Sequence, residues 1–142
     1  MIGRSTTFSS ELESAGAALL GSAWGGVHAA DTLPARPSQT LACRVVNTVE
    51  TDDGTGGVHW LACAEEGGRR YFNDPLGTAG REQRAVLHQR YPDAQWADDD
   101  SEQAKSEKDC GVRSLVALCI AKDCGIQCYV QPPAKKVLCW RS

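Results

Sequence analysis

Apolar and polar positions along the chain change period several times, and each change marks an element. Ser10 followed by Glu13 has the spacing of a capping box, and the Ala- and Leu-rich stretch to Leu20 predicts a short amino-terminal helix stopped by Gly21. From Gly25 to Gln39 the glycines, Pro34 and Pro37 predict an irregular loop, after which Leu41 to Val49 reads as a buried strand. Thr51 to Gly57 reads as a turn. Val58, Trp60 and Ala62 then alternate with His59, Leu61 and Cys63, the period of a strand that sends His59 to one face and Trp60 to the other. Glu65 to Gly68 predicts a hairpin turn that returns the chain through Arg70 to Asn73, with Asp74 at the end and Pro75 blocking continuation.

Downstream, Arg81 to Tyr91 has helical composition and stops before Pro92, because the residue preceding proline is pushed out of the α region. A short strand is expected around Trp96. The stretch from Asp98 to Asp109 is polar and acidic without periodicity, a solvated loop that carries Gln103. Beyond Cys110, the residues Val112, Leu115, Val116 and Cys119 follow i, i+3, i+4, i+7 spacing and predict a core-facing helical stripe, with Gly125 as its carboxy-terminal cap. Ile126 to Val130 and Lys136 to Trp140 read as two further strands around Pro132-Pro133.

A length of 142 residues with 42% hydrophobic content fits one domain, residues 1–142, with a modest core. The net charge of -3 argues against a chain built to coat nucleic acid, although Lys135, Lys136 and Arg141 cluster near the end. Seven cysteines at non-repeating spacings do not make a secreted disulfide framework, so a reducing compartment is expected. No apolar run reaches the roughly 18 to 20 residues of a membrane span. Glu11 and Glu13 precede the Ala15–Trp24 stretch and argue against a signal peptide, so a soluble, intracellular protein with no membrane partner is expected.

His59, Asp74, Gln103 and Cys110 occur in that order, each in a segment suited to one role in thiol acyl transfer. A cysteine at a helix amino terminus beside an imidazole is set up as a nucleophile, and Cys110 opens the predicted helix. Asp109 is expected to cap that helix. His59 would take the thiol proton and deliver it to the leaving amine, and Asp74 would orient its ring. Gln103 would direct its amide N–H at the developing oxyanion. Gly57, Trp60 and Gly111 flank these positions and are candidates for lining a substrate groove; Gly111 in particular would let substrate approach the main chain. Cys43, Cys63 and Cys119 read as small hydrophobes. No metal or cofactor is required for this chemistry. A reading from another class makes the scaffold a binding module, with zinc held by Cys124, Cys128 and Cys139.

The segments Leu41-Ala42-Cys43, Val46-Asn47-Thr48 and Gly56-Gly57-Val58-His59-Trp60 resemble the lead into the catalytic histidine of the adenovirus-type endopeptidases, the adenains. Their wider clan includes the proteases that cleave SUMO and other ubiquitin-like modifiers. Tyr71 to Gly77 resembles the family's acid-bearing motif, Gln103 precedes Cys110 by the family's interval, and Asp109-Cys110-Gly111 resembles the SUMO-protease relatives. The resemblance spans roughly residues 41–124. It implies an α+β, papain-like fold in which a small mixed sheet packs on a central helix with the nucleophile at its amino terminus. It further implies a virus-encoded enzyme that trims virion precursor proteins at glycine-containing sites, in the host nucleus and in the virion, with a viral peptide or DNA as activator. Asp74 stands where adenains carry glutamate, as in the SUMO-protease branch. No cysteine lies between Asp74 and Cys110 to form the family's activator disulfide, and the acidic charge makes DNA a doubtful partner. Removal of a ubiquitin-like modifier is the alternative activity.

Overall fold

The computed structural model describes residues 4–48, 59–75, 85–97 and 110–130, with side chains from Ser10 onward. Among the described residues, five strands form one mixed sheet in sequence order: β1 (Trp24–His28), β2 (Ala42–Asn47), β3 (Trp60–Glu66), β4 (Arg69–Asn73) and β5 (Gln95–Trp96). The two outer pairings are parallel and the two inner ones antiparallel. Helices α1 (Arg4–Leu20), α2 (Ala85–Arg90), α3 (Cys110–Cys124) and α4 (Ile126–Val130) complete an α+β arrangement, the expected class. No helix among the described residues is long and apolar enough to cross a membrane.

The predicted alternation along β3 is real, and both of its faces are covered. Trp60, Ala62 and Ala64 join Cys43 and Val45 of β2 against Leu12 and Leu20 of α1, Leu115, Leu118 and Ala121 of α3, and Tyr129 of α4. Leu61 and Cys63 face the other way with Val46, Phe72, Leu33 and Leu87 of α2. Burial on both faces gives β3 an almost unbroken buried run, the pattern of a central strand between two layers.

Five expectations change. Ser10 lies inside α1 rather than at its start, so it is not a cap. Glu13 instead ties α1 to the sheet edge: its carboxylate accepts from Trp24 Nε1 and from the Val27 backbone N–H, both at 3.0 Å. The Gly25–Gln39 loop contains β1, because Gly25 and Gly26 serve the strand instead of breaking it. A Cβ on Gly25 would lie 2.9 Å from Arg44 Cγ, so glycine lets the Arg44 side chain cross the strand.

Glu65 belongs to β3, and the hairpin turn is Gly67-Gly68, both with positive φ. The Glu65 side chain is fully buried, with Arg70 Nε at 2.8 Å, Arg44 Nε at 3.3 Å and the Ser38 N–H at 3.1 Å. Two guanidiniums and a backbone donor make a buried carboxylate tolerable.

The core stripe of α3 is Cys110, Gly111, Ser114, Leu115, Leu118 and Ala121, whereas Val112 and Val116 are 61% and 53% exposed. The apolar spacing was correct in period but misplaced in phase: the small residues Gly111 and Ser114 face inward where helices approach closely. Ile126–Val130 is a helix and not a strand. A short apolar run fits either state, and here it begins after Gly125, whose φ of +102° ends α3 as expected. Within the predicted Arg81–Tyr91 helix, α2 occupies Ala85–Arg90; the Thr51–Gly57 turn, the Asp98–Asp109 loop and the Lys136–Trp140 strand lie outside the described residues.

Candidate active site

The sheet register brings His59 and Asp74 together. Ala62 pairs with Asn73, which places Leu61 opposite Asp74 by continuation, and His59 two residues away on the same face. The His59 carbonyl accepts from the Thr48 N–H at 3.0 Å, so the main chain is held one residue before β3 begins. Diagonal neighbours at this spacing lie within reach of long side chains, and His59 Nε2 meets Asp74 Oδ1 at 2.6 Å, both side chains being fully buried.

Cys110 approaches the same junction from the first turn of α3 and is 3% exposed. Its sulfur accepts the Trp60 backbone N–H at 3.3 Å, so the thiol sits against the residue that follows the histidine. The free amino-terminal N–H groups of a helix favour negative charge at such a position. Ser114, one turn on, fixes this geometry: its hydroxyl lies 2.8 Å from the Cys110 carbonyl and 3.4 Å from the Trp60 carbonyl.

Asp74 can only accept when ionised, so the 2.6 Å contact places the proton on Nε2 and leaves Nδ1 as the nitrogen that can take one. Nδ1 is buried and makes no hydrogen bond of ordinary geometry to the described residues. Cys110 nevertheless interacts with the ring closely enough to favour its charged form, so thiol and imidazole are near each other but not aligned. Such contacts commonly tighten only when substrate is bound. Burial is the largest influence on His59 and pushes its pKa down; the Asp74 and Cys110 hydrogen bonds and charges together outweigh it and raise the value from 6.5 to about 9. The arrangement can move a proton from Sγ to Nδ1, hold the imidazolium against Asp74, and return the proton to a leaving group.

The groove candidates change character. Trp60 is 6% exposed and belongs to the core, and its backbone N–H donates to the sulfur. Gly111 is buried under α1. A Cβ there would stand 3.1 Å from Leu12 Cδ2, so glycine admits Leu12 and not a substrate. Gly57, Gln103 and Cys139 lie outside the described residues.

Sequence reasoning missed Ser114 and Leu12. The four-residue spacing of Ser114 from Cys110 was the available signal for the first, while nothing local marks the second. Cys43 and Cys63 are fully buried and free, as expected of small hydrophobes; burial pushes the Cys43 thiol up to about 12 and raises Cys63 as well. Cys119 is half-buried at the core margin. Among the described residues, no three His, Cys, Asp or Glu side chains converge as a metal site would require. No family model matches the chain, and no curated protein matches it.

Proposed function

We propose that this chain is a cysteine endopeptidase of the papain-like, adenain-like kind, with Cys110 as nucleophile, His59 as base, Asp74 as the group that orients the ring, and Gln103 as oxyanion donor. The single observation that carries the reading is the buried Nε2–Oδ1 contact of 2.6 Å beside a thiol at the start of a helix. A structural histidine needs no thiol beside its ring, and an inert cysteine needs no helix terminus. From the residue resemblance, the substrates are virion precursor proteins cut at glycine-containing sites, in the host nucleus and virion, with an activating viral peptide as a further partner. A second reading, removal of a ubiquitin-like modifier, draws on the aspartate at position 74 and on Asp109-Cys110-Gly111.

The test is the rate of Cys110 alkylation against pH in the parent chain and in His59→Ala, followed by cleavage of glycine-containing peptides and of an intact ubiquitin-like modifier, with Cys110→Ala as control. Fast alkylation at neutral pH that collapses in His59→Ala, together with cleavage lost in Cys110→Ala, supports the peptidase. Equal alkylation in both chains, or cleavage that survives Cys110→Ala, removes it. Reaction with the intact modifier alone selects the second reading.

A further inference from the structure

Trp60 opens β3 at a level that lies past the end of β4. The His59 carbonyl accepts the Thr48 N–H on the β2 side. Successive residues of an antiparallel strand turn their main-chain groups to alternate sides, so the N–H and carbonyl of Trp60 turn toward β4. There the ladder ends at the pair Ala62–Asn73. Its continuation would set Pro75 opposite Trp60, and proline has no N–H to give the Trp60 carbonyl.

The first turn of α3 takes up both groups. Cys110 Sγ accepts the Trp60 N–H at 3.3 Å, and Ser114 Oγ donates toward the Trp60 carbonyl at 3.4 Å. Residues four apart on a helix share one face, so a single face of α3 grips one residue of β3 at both ends. The same hydroxyl lies 2.8 Å from the Cys110 carbonyl. A helical serine bonded only to the carbonyl four residues back would be a local contact. Sharing its one proton with a carbonyl of β3 makes Ser114 a tie between the two elements. It is buried in the core stripe of α3, so water does not compete for that proton.

The tie bears on the state of the sulfur. A charged sulfur accepts a hydrogen bond more strongly than a thiol does, so an N–H aimed at it favours the thiolate. That preference depends on alignment, which weakens steeply as the donor angle closes. Trp60 also follows His59 directly, so a sulfur fixed on the Trp60 N–H is fixed relative to the ring that takes its proton.

We propose that Ser114 is a positioning residue for the nucleophile: by bonding the carbonyls of Cys110 and Trp60, its hydroxyl holds Cys110 Sγ on the Trp60 backbone N–H and so favours the thiolate. The role rests on the thiol chemistry proposed above for Cys110. Ser114 touches neither the sulfur nor the imidazole among its hydrogen bonds and acts through the main chain alone.

The experiment compares the full parent chain with Ser114→Ala. Alkylation of Cys110 by iodoacetamide is followed from pH 5.5 to 10.5 and located by peptide mass spectrometry, and the ¹H–¹⁵N resonance of the Trp60 amide is recorded over the same range. Ser114→Ala should slow alkylation roughly tenfold at pH 6.5 but less than about twofold at pH 10.5, where the thiol is ionised in both chains. Its Trp60 amide should move upfield as the bond to sulfur slackens. Cys43 and Cys63 are fully buried and serve as reporters of the fold, and they should stay unreactive in both chains. A rate lost equally at every pH, an unmoved Trp60 amide, or a variant in which Cys43 and Cys63 react as well would overturn the proposal. A parent thiol of ordinary reactivity would remove the peptidase reading alone, and the Trp60 amide of Ser114→Ala, moved or unmoved, would still decide for or against the tie.

Discussion

Replacing Asp74 with asparagine tests the electrostatics of the site without emptying it. Asparagine keeps the shape and an accepting oxygen for His59 Nε2, but it removes the charge. In the parent chain the rise of His59 from 6.5 to about 9 corresponds, at about 1.4 kcal/mol per unit, to about 3 kcal/mol favouring the imidazolium in the folded state. Because the folded value is raised, this contribution is fully present below pH 6.5 and is lost as pH rises through about 9. Asp74 and Cys110 supply the rise against burial, so Asp74→Asn leaves burial opposed by the thiol alone and His59 titrates lower.

Two measurements follow. Long-range ¹H–¹⁵N spectra of the imidazole should show His59 titrating well above 6.5 in the parent and shifting down in the variant. Urea midpoints at pH 6, 7.5 and 9.5 should show a stability difference between parent and variant that is largest at pH 6 and shrinks toward pH 9.5. Taking the difference cancels groups common to both chains. A difference that stays level across that window, or a parent His59 that titrates at its ordinary value, would refute the electrostatic coupling.

Glu65→Ala strands Arg44 and Arg70 in the interior and should cost about 3 to 5 kcal/mol, read as a lower urea midpoint; a change under about 1 kcal/mol would show that the network is not buried as described. Gly111→Ala should destabilise the chain by about 1 to 3 kcal/mol through the contact with Leu12, and adding Leu12→Ala should cost less than the two changes separately. Strict additivity would separate the two residues. Gln103→Ala should lower kcat by about 100-fold to 1000-fold with little change in KM, since the proposed contact forms with the oxyanion; a change confined to KM would remove that role.

Local pattern made much of this chain legible. Period-two alternation located β3 and the facing of His59 and Trp60, the double glycine marked the turn that follows, and Gly125 marked the end of α3. Errors arose where a residue's role is set by a distant partner. Gly25 and Gly26 read as chain breakers because the Arg44 side chain that crosses Gly25 comes from another strand. Glu65 read as a turn residue because the arginines that neutralise it lie 21 and 5 positions away. The phase of α3 depends on which face Leu12 and β3 cover, and four apolar residues at helical spacing fit two adjacent faces equally well.

The sequence by itself determined the kinds of chemistry present and their order: a histidine on a strand, an acid before a proline, a thiol at the start of a helix. Only the tertiary structure decided that these groups meet. Strand register carries His59 to Asp74, and the packing of α3 on β3 carries the thiol to the Trp60 N–H. The β3–β4 register follows from the local Gly67-Gly68 turn, but helix phase is a long-range quantity, fixed by burial against β3 and α1, and no short window of sequence contains both partners of the contacts that set it.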